Sequence, residues 1–304
     1  MSSRSWSLLL SLAFIWGASF YFIEIGLIYL DPFWLVSVRL LFGALPLALW
    51  LLFQEKALPI KLRFWTSVMI MGVLNNFLPF NFIAFGQLYV TGGMASIVNA
   101  NTAFMGVIIS GLFLSGEPAT WNRVVGVMIG VTGVAIANGV TPMLPAADAN
   151  DLLLGSLAII VATIGIIIMA IGNTEKNSFL GFVFGLVSSI GFSVFSVTLR
   201  WRKETPKFTT VAIAGLFCFV FASIIILLTK QPFFATSYNS SMFSLHGTLV
   251  CLGLILYSIG SKAIPAAELT LLSLTEVIGG IFWVWLPIFG INEIPSTNTI
   301  VGGF

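Results

Sequence analysis

Arg200-Trp201-Arg202-Lys203-Glu204-Thr205-Pro206-Lys207 holds four of the thirteen basic residues of the chain within eight positions. On either side lies a long apolar run, Phe179–Leu199 before it and Thr209–Leu228 after it. A helix of roughly 20 apolar residues spans a bilayer, so each run is long enough to cross. Lys and Arg accumulate in short cytoplasmic loops, and the side taken by residues 200–207 therefore sets how the second half of the chain is inserted. The rest of the sequence is of the same kind: 304 residues, 58% apolar, 8% charged, mean hydropathy +1.06. A soluble domain carries about 25% charged residues. Thirteen basic residues, eleven acidic ones and one histidine cannot cover a water-soluble globule of this length. Composition thus excludes a soluble enzyme and a disordered chain, and a net charge of +2 is no electrostatic footprint for nucleic acid.

Walking outward with the same ruler gives ten apolar runs: Leu8–Leu30, Phe33–Phe53, Phe64–Val90, Met94–Ser115 and Val124–Val140, then Leu152–Ile171, Phe179–Leu199, Thr209–Leu228, Leu249–Ile264 and Leu269–Ile291. Short linkers with turn residues join them, among them Asp31-Pro32, Gly92-Gly93 and Gly116-Glu117-Pro118. No alternating pattern speaks for a barrel. The first run is too long for a signal-peptide core and reads as the first span. Cys218 and Cys251 sit in apolar runs and read as small apolar fillers, with neither a disulfide framework nor a metal motif around them. Gly126/Gly130 and Gly181/Gly185 form GxxxG pairs of the type that lets helices approach closely.

The two halves repeat. At offsets of 174 to 176 residues, Leu41-Phe42 falls on Leu216-Phe217, Gly86 on Gly260 and Glu117 on Glu293, whereas Arg39 falls on Ala214. Two five-helix repeats are implied, near residues 6–141 and 179–304, with residues 142–178 as a linker holding an extra apolar segment. Such repeats in transporters are commonly inverted, with the substrate site between them.

A set of short motifs runs in the same order: Trp16-Gly17-Ala18-Ser19-Phe20, Ser37-Val38-Arg39-Leu40-Leu41 and Leu114-Ser115-Gly116-Glu117 in the first half. Val125-Gly126 with Gly130 and Gly133 follows, then Ser273-Leu274-Thr275-Glu276-Val277 and Asn292-Glu293. Together they resemble EamA-type members of the drug/metabolite transporter superfamily over nearly the whole chain. The resemblance implies an all-α polytopic membrane protein of about ten transmembrane helices in two inverted five-helix repeats. Two departures stand out. Glu276-Val277 replaces the Glu-Pro of the family, and the repeat offset exceeds the family's by roughly one helix with its loop. The surplus lies around Leu152–Ile171, and the tenth family helix begins near Ile300 and is truncated at Phe304.

Charge arbitrates between two insertions. With the N-terminus inside and every run spanning, Arg4, Lys56, Lys61, Arg63, Arg123, Lys176 and Lys230 lie inside against five outside, Arg200, Arg202, Lys203, Lys207 and Lys262. If Leu152–Ile171 does not span, the second half flips and only Lys176 and Lys230 of these twelve remain outside. The second arrangement obeys the rule better and is the inverted-repeat topology. An uncharged run rich in Ile and Ala should nevertheless insert. Two explanations stay open: an interfacial or re-entrant segment, or a fusion of two related genes with its seam near residues 160–175.

Ionisable residues inside spans are costly and are functional candidates by default. Glu24, Arg39, Glu268 and Glu276 form that inventory. Arg39 lies seven residues past Pro32, roughly 10 Å into the membrane at 1.5 Å per residue. It is placed either to bind a carboxylate through its planar fork or to hold a packing seam. Glu276 must find a partner or be protonated, and Glu24 shares part of a helix face with Trp16 and Ser19. Glu268, near a helix start, reads as a dipole partner. Asn75, Asn76 and Pro79 interrupt the third run and Asn99 and Asn101-Thr102 the fourth; these polar residues, with Asn81, either line a pocket or bond between helices. The substrate-binding candidates are Trp16, Ser19, Asn76, Asn81, Asn99, Asn101 and Glu276; the coupling or charge-pair candidates are Glu24, Arg39 and Glu276. His246, beside Ser244 in a polar stretch, reads as a solvated loop residue.

No zinc-protease helix, nucleophile elbow or P-loop occurs, so catalysis and direct ATP drive have no residues to carry them and no cofactor is expected. The expectation is a secondary transporter, an exporter of small organic metabolites such as amino acids or amphipathic compounds. It would be embedded in the cell (inner) membrane with its N-terminus cytoplasmic and be driven by protons. A channel, a structural membrane protein and a non-functional fusion are the rival readings, and no nucleic-acid partner is expected.

Overall fold

The computed structural model describes residues 3–53, 62–114, 125, 179–201, 207–229, 237–264 and 272–288. Among the described residues every regular element is a helix. We number them in chain order: α1 (Ser3–Leu27), α2 (Pro32–Phe53), α3 (Leu62–Gly72), α4 (Leu78–Gly86), α5 (Gly92–Asn99), α6 (Asn101–Phe113), α7 (Phe179–Trp201), α8 (Lys207–Thr229), α9 (Ser237–Ala263) and α10 (Leu272–Trp285). The runs Val124–Val140 and Leu152–Ile171 lie outside the described residues, Val125 apart, as do Arg202 to Pro206, Glu268, Glu293 and the segment after Ile288.

Local chemistry explains where these helices start and break. The Asp31 carboxylate accepts the Phe33 N–H at 3.0 Å, and Pro32 opens α2 with its φ already set, a standard helix start. A π-helical turn, Val73–Phe77, joins α3 to α4. Pro79 lacks the N–H that an α-helix would use one turn back, so the ladder shifts register there. That is the interruption read at Asn76 and Pro79. A second break at Ala100 divides α5 from α6. Carbonyls freed at membrane depth need donors, and α7 supplies them. Ser188 Oγ donates to Pro79 O at 2.9 Å and Ser193 Oγ to Thr102 O at 2.8 Å.

Small residues let the helices cross closely. A Cβ on Gly17 of α1 would sit 2.6 Å from backbone atoms of Gly279 and Gly280 in α10, closer than any side chain tolerates. The Gly181/Gly185 pair presses α7 against Gly86 and Val98 in the same way. Overpacking of this kind costs about 1–3 kcal/mol. Gly17→Leu should accordingly lower the melting temperature of the detergent-solubilised protein by several degrees, read by fluorescence-detected size exclusion after heating. An unchanged melt would show that α1 and α10 do not depend on this crossing.

α1 packs on α9 and α10, and α7 on α4, α5 and α6, while α2 and α8 lie against one another. One core therefore draws on both halves of the chain, with Phe20, Leu35, Leu40 and Phe80 meeting Cys218 and Phe243. Both cysteines are buried and free. The outward faces are apolar instead: Leu52 is 73% exposed, Phe53 84% and Leu228 77%. Among the described residues Leu10–Leu27, Pro32–Phe53 and Phe208–Thr229 are long and apolar enough to cross a membrane. Shorter apolar segments lie in α6, α7, α9 and α10. Water would not tolerate so much exposed hydrocarbon; lipid does.

Candidate functional site

Eight helices from both halves line a cavity of about 570 Å³ that is partly open to its surroundings. α1 contributes Trp16, Ser19, Phe20 and Ile23, and α2 contributes Arg39. Phe80 and Ile83 come from α4, Asn99 from α5 and Thr102 from α6. From the second half, α7 adds Phe192, Phe195 and Ser196, α9 adds Tyr257 and α10 adds Glu276. Six of the fourteen lining residues are aromatic, and polar side chains are set among them, as in small-molecule sites generally.

The aromatic wall is ordered. Tyr257 stacks on Trp16 with ring centroids 5.1 Å apart and on Phe195 at 5.9 Å. Ser196 and the Tyr257 hydroxyl are hydrogen-bonded to one another. Gly253 makes room for this stack, because a Cβ there would fall 2.0 Å from Trp16 Nε1. Phe80 carries the Arg39 guanidinium on its ring face, Cζ standing 3.8 Å from the centroid.

Among the described residues two ionisable side chains line the cavity, Arg39 and Glu276. Arg39 is 4% exposed, and its Nε and Nη1 have no hydrogen-bond partner. Glu276 is 8% exposed and lies within electrostatic reach of Arg39. Both are desolvated, so each charge is strongly felt by anything that enters.

Of the residues singled out in the sequence, Trp16, Ser19, Arg39, Asn99 and Glu276 converge on this cavity. Asn76, Asn81, Asn101 and Glu24 are not among its lining residues. Asn81 Nδ2 donates to Phe77 O and Asn101 Nδ2 to Val98 O, each at 2.7 Å, so both amides serve backbone carbonyls of their own segment. Asn76 is fully buried. Glu24 is half-buried, and its Oε2 accepts the Gly92 N–H at 2.8 Å, where α5 begins. It thereby satisfies an orphan donor at a helix N-terminus.

His246 is a correction. It lies inside α9, is 1% exposed and stacks on Phe22 at 5.3 Å. The polar stretch around it is helical because Ser244 and Thr248 bond back to Ser241 O and Ser244 O. The sequence reading missed Phe195, Ser196 and Tyr257. One signal was available: at the repeat offset of 175, Phe20 falls on Phe195, and both line the cavity.

Residues 4–139 match the model of the EamA-like transporter family. The chain carries an EamA-like transporter domain. Full-length relatives of this EamA-like chain bear transporter names as well. An uncharacterized transporter of Archaeoglobus fulgidus is 26% identical over 133 residues, 44% of this chain and 47% of its own length. The aligned stretch thus spans about half of that relative. Another from the same organism is 23% identical over 305 residues, all of this chain and 94% of its own. YdfC of Bacillus subtilis, also an uncharacterized transporter, is 25% identical over 301 residues, 93% of this chain and 92% of its own. A solved crystal structure superposes on 99% of the EamA-like chain and 93% of its own with a TM-score of 0.69 at 15% identity, a likeness of fold alone. The similarity and the long apolar helices together make the chain an integral membrane protein.

Proposed function

We propose that the protein is a secondary transporter that exports small organic metabolites, amino acids and amphipathic compounds among them, by alternating access. The observation that carries this reading is the cavity itself: desolvated, largely apolar, bearing one guanidinium and one carboxyl group, and walled by both halves of the chain. A transporter needs such a site between two bodies that can rock. The packing supports two inverted repeats, 6–141 and 179–304: α1 lies on α9 and α10 as α7 lies on α4, α5 and α6. α1 and α7 are the elements that open the two repeats. The proton is the proposed driving ion, with Glu276 or Glu24 as its carrier. The proposed location is the cell (inner) membrane with the N-terminus cytoplasmic, which puts Arg200–Lys207 inside under the inverted topology.

The test is uptake into proteoliposomes of a panel of amino acids, with and without a pH gradient. Saturable uptake that grows with the gradient is expected. Flux that rises linearly with concentration would make the protein a channel, and no flux at all would overturn the transport reading.

A further inference from the structure

We infer that Arg39 is the carboxylate anchor of the cavity and Glu276 its ammonium site, so that the compounds recognised are zwitterions bearing an apolar or aromatic body. The inference rests on the transporter reading and deepens it by naming the head group. Three observations carry it. First, Arg39 is buried and faces the cavity, and two of its three guanidinium nitrogens, Nε and Nη1, have no hydrogen-bond partner among the described residues. A guanidinium is always charged and presents a planar fork that matches a carboxylate. Phe80 covers the face of that plane and leaves the edge, where the N–H groups lie, to be met by something else. A packing arginine would spend those donors on carbonyls; this one does not.

Second, Glu276 lines the same cavity. It interacts electrostatically with Arg39, yet Nε and Nη1 of that guanidinium have no hydrogen-bond partner among the described residues, so Glu276 does not spend them. A monocarboxylate at Arg39 would leave Glu276 uncompensated, and an amine at Glu276 would leave Arg39 so. A molecule carrying both charges answers both, and in a desolvated site an unanswered charge is costly. Third, much of the remaining wall is aromatic: Trp16, Tyr257 and Phe195 form one stack and Phe192 packs on Phe80. The Tyr257 hydroxyl is already engaged with Ser196. That surface takes an apolar or ring-shaped body and offers no further charge. His246 is not among the lining residues and is stacked on Phe22.

The experiment is calorimetric titration of the full purified chain in detergent with L-phenylalanine, 3-phenylpropanoate and phenethylamine, three ligands that differ only in head-group charge. L-Phenylalanine should bind tightest, with each single-charge analogue weaker by about tenfold or more, the worth of one charge-assisted hydrogen bond. Arg39→Lys keeps the charge and removes the fork. It should weaken L-phenylalanine and 3-phenylpropanoate by about tenfold and leave phenethylamine as in the parent. Glu276→Gln should weaken L-phenylalanine and phenethylamine and leave 3-phenylpropanoate unchanged or tighter. A general loss of affinity for all three ligands in either variant would mean that the residue supports the fold, and would overturn the assignment. So would an analogue binding as tightly as L-phenylalanine, or no binding of either L-phenylalanine or L-leucine. Flux is read separately: charge-coded binding without any flux would overturn the transport reading alone, and saturable flux blind to head-group charge would overturn this inference alone.

Discussion

Arg39→Met should melt at a higher temperature than the parent protein and carry no saturable flux. The two effects have opposite signs because one residue is asked to do two incompatible things. A guanidinium that is 4% exposed, with Nε and Nη1 unpartnered, has lost its hydration and recovered little of it. The Phe80 ring offsets part of that loss, and a cation–π contact contributes about 0.5–2 kcal/mol. Burying a charge costs several kcal/mol even after relaxation. Methionine is unbranched, fills a similar volume and keeps a favourable sulfur–aromatic contact with Phe80. Replacing a buried ion pair with well-packed apolar side chains stabilises proteins by about 1–4 kcal/mol in comparable cases, and Glu276, left without Arg39, takes up a proton and leaves no bare charge behind. A rise of several degrees in a thermal melt of the detergent-solubilised protein is therefore the expected result.

The flux result follows from the same atoms. Methionine has no donor to offer a carboxylate, so any substrate held by the fork loses its anchor. The combination separates a binding arginine from a structural one. An arginine that held the fold would give a lower melt on replacement, and its loss of transport would follow from instability. A higher melt with intact flux would remove Arg39 from the site altogether. Sites that keep strained or unsatisfied groups commonly trade stability for function in this way.

The same tension marks what could be read in the sequence. Run length and hydropathy located α1, α2, α7 and α8 to within a few residues, because a span is a simple physical quantity. They misplaced the start of α9 at Leu249, against Ser237 in the structure. Hydropathy cannot see that Ser244 and Thr248 satisfy their hydroxyls on their own helix and so extend it as a polar turn. The cost of charge in an apolar run pointed to Arg39 and Glu276, which do share the cavity. The asparagines were harder. Asn99 lines the cavity while Asn101, two positions on, turns back to Val98 O. A break at Ala100 lies between them, so helical spacing no longer says which of the two faces inward. Tyr257 escaped because a phenol in an apolar helix carries no penalty until its depth is known.

Glu276→Gln should abolish gradient-driven accumulation in proteoliposomes while leaving the protein folded. Glutamine has the shape of the protonated acid and cannot ionise, so the substitution fixes one protonation state without opening a hole. On the zwitterion assignment the carboxylate serves two cations in turn, the substrate ammonium and the proton. They exclude one another, and mutual exclusion at one site is what couples an inward proton to an outward substrate. The sign of the pH effect follows: acid protonates Glu276, removes the ammonium's partner and weakens binding, so parent affinity should fall as pH falls. In Glu276→Gln the affinity should be uniformly lower, by roughly 10- to 100-fold if one charge-assisted contact is lost, and flat with pH. The other groups that bear on this site are Arg39, charged throughout, and Tyr257, whose hydroxyl is held by Ser196; His246 interacts with Arg39 from behind the cavity wall. A pH dependence that survived in the variant would belong to one of these last two. Saturable accumulation that still followed the gradient would remove Glu276 from the coupling step, whatever its part in binding.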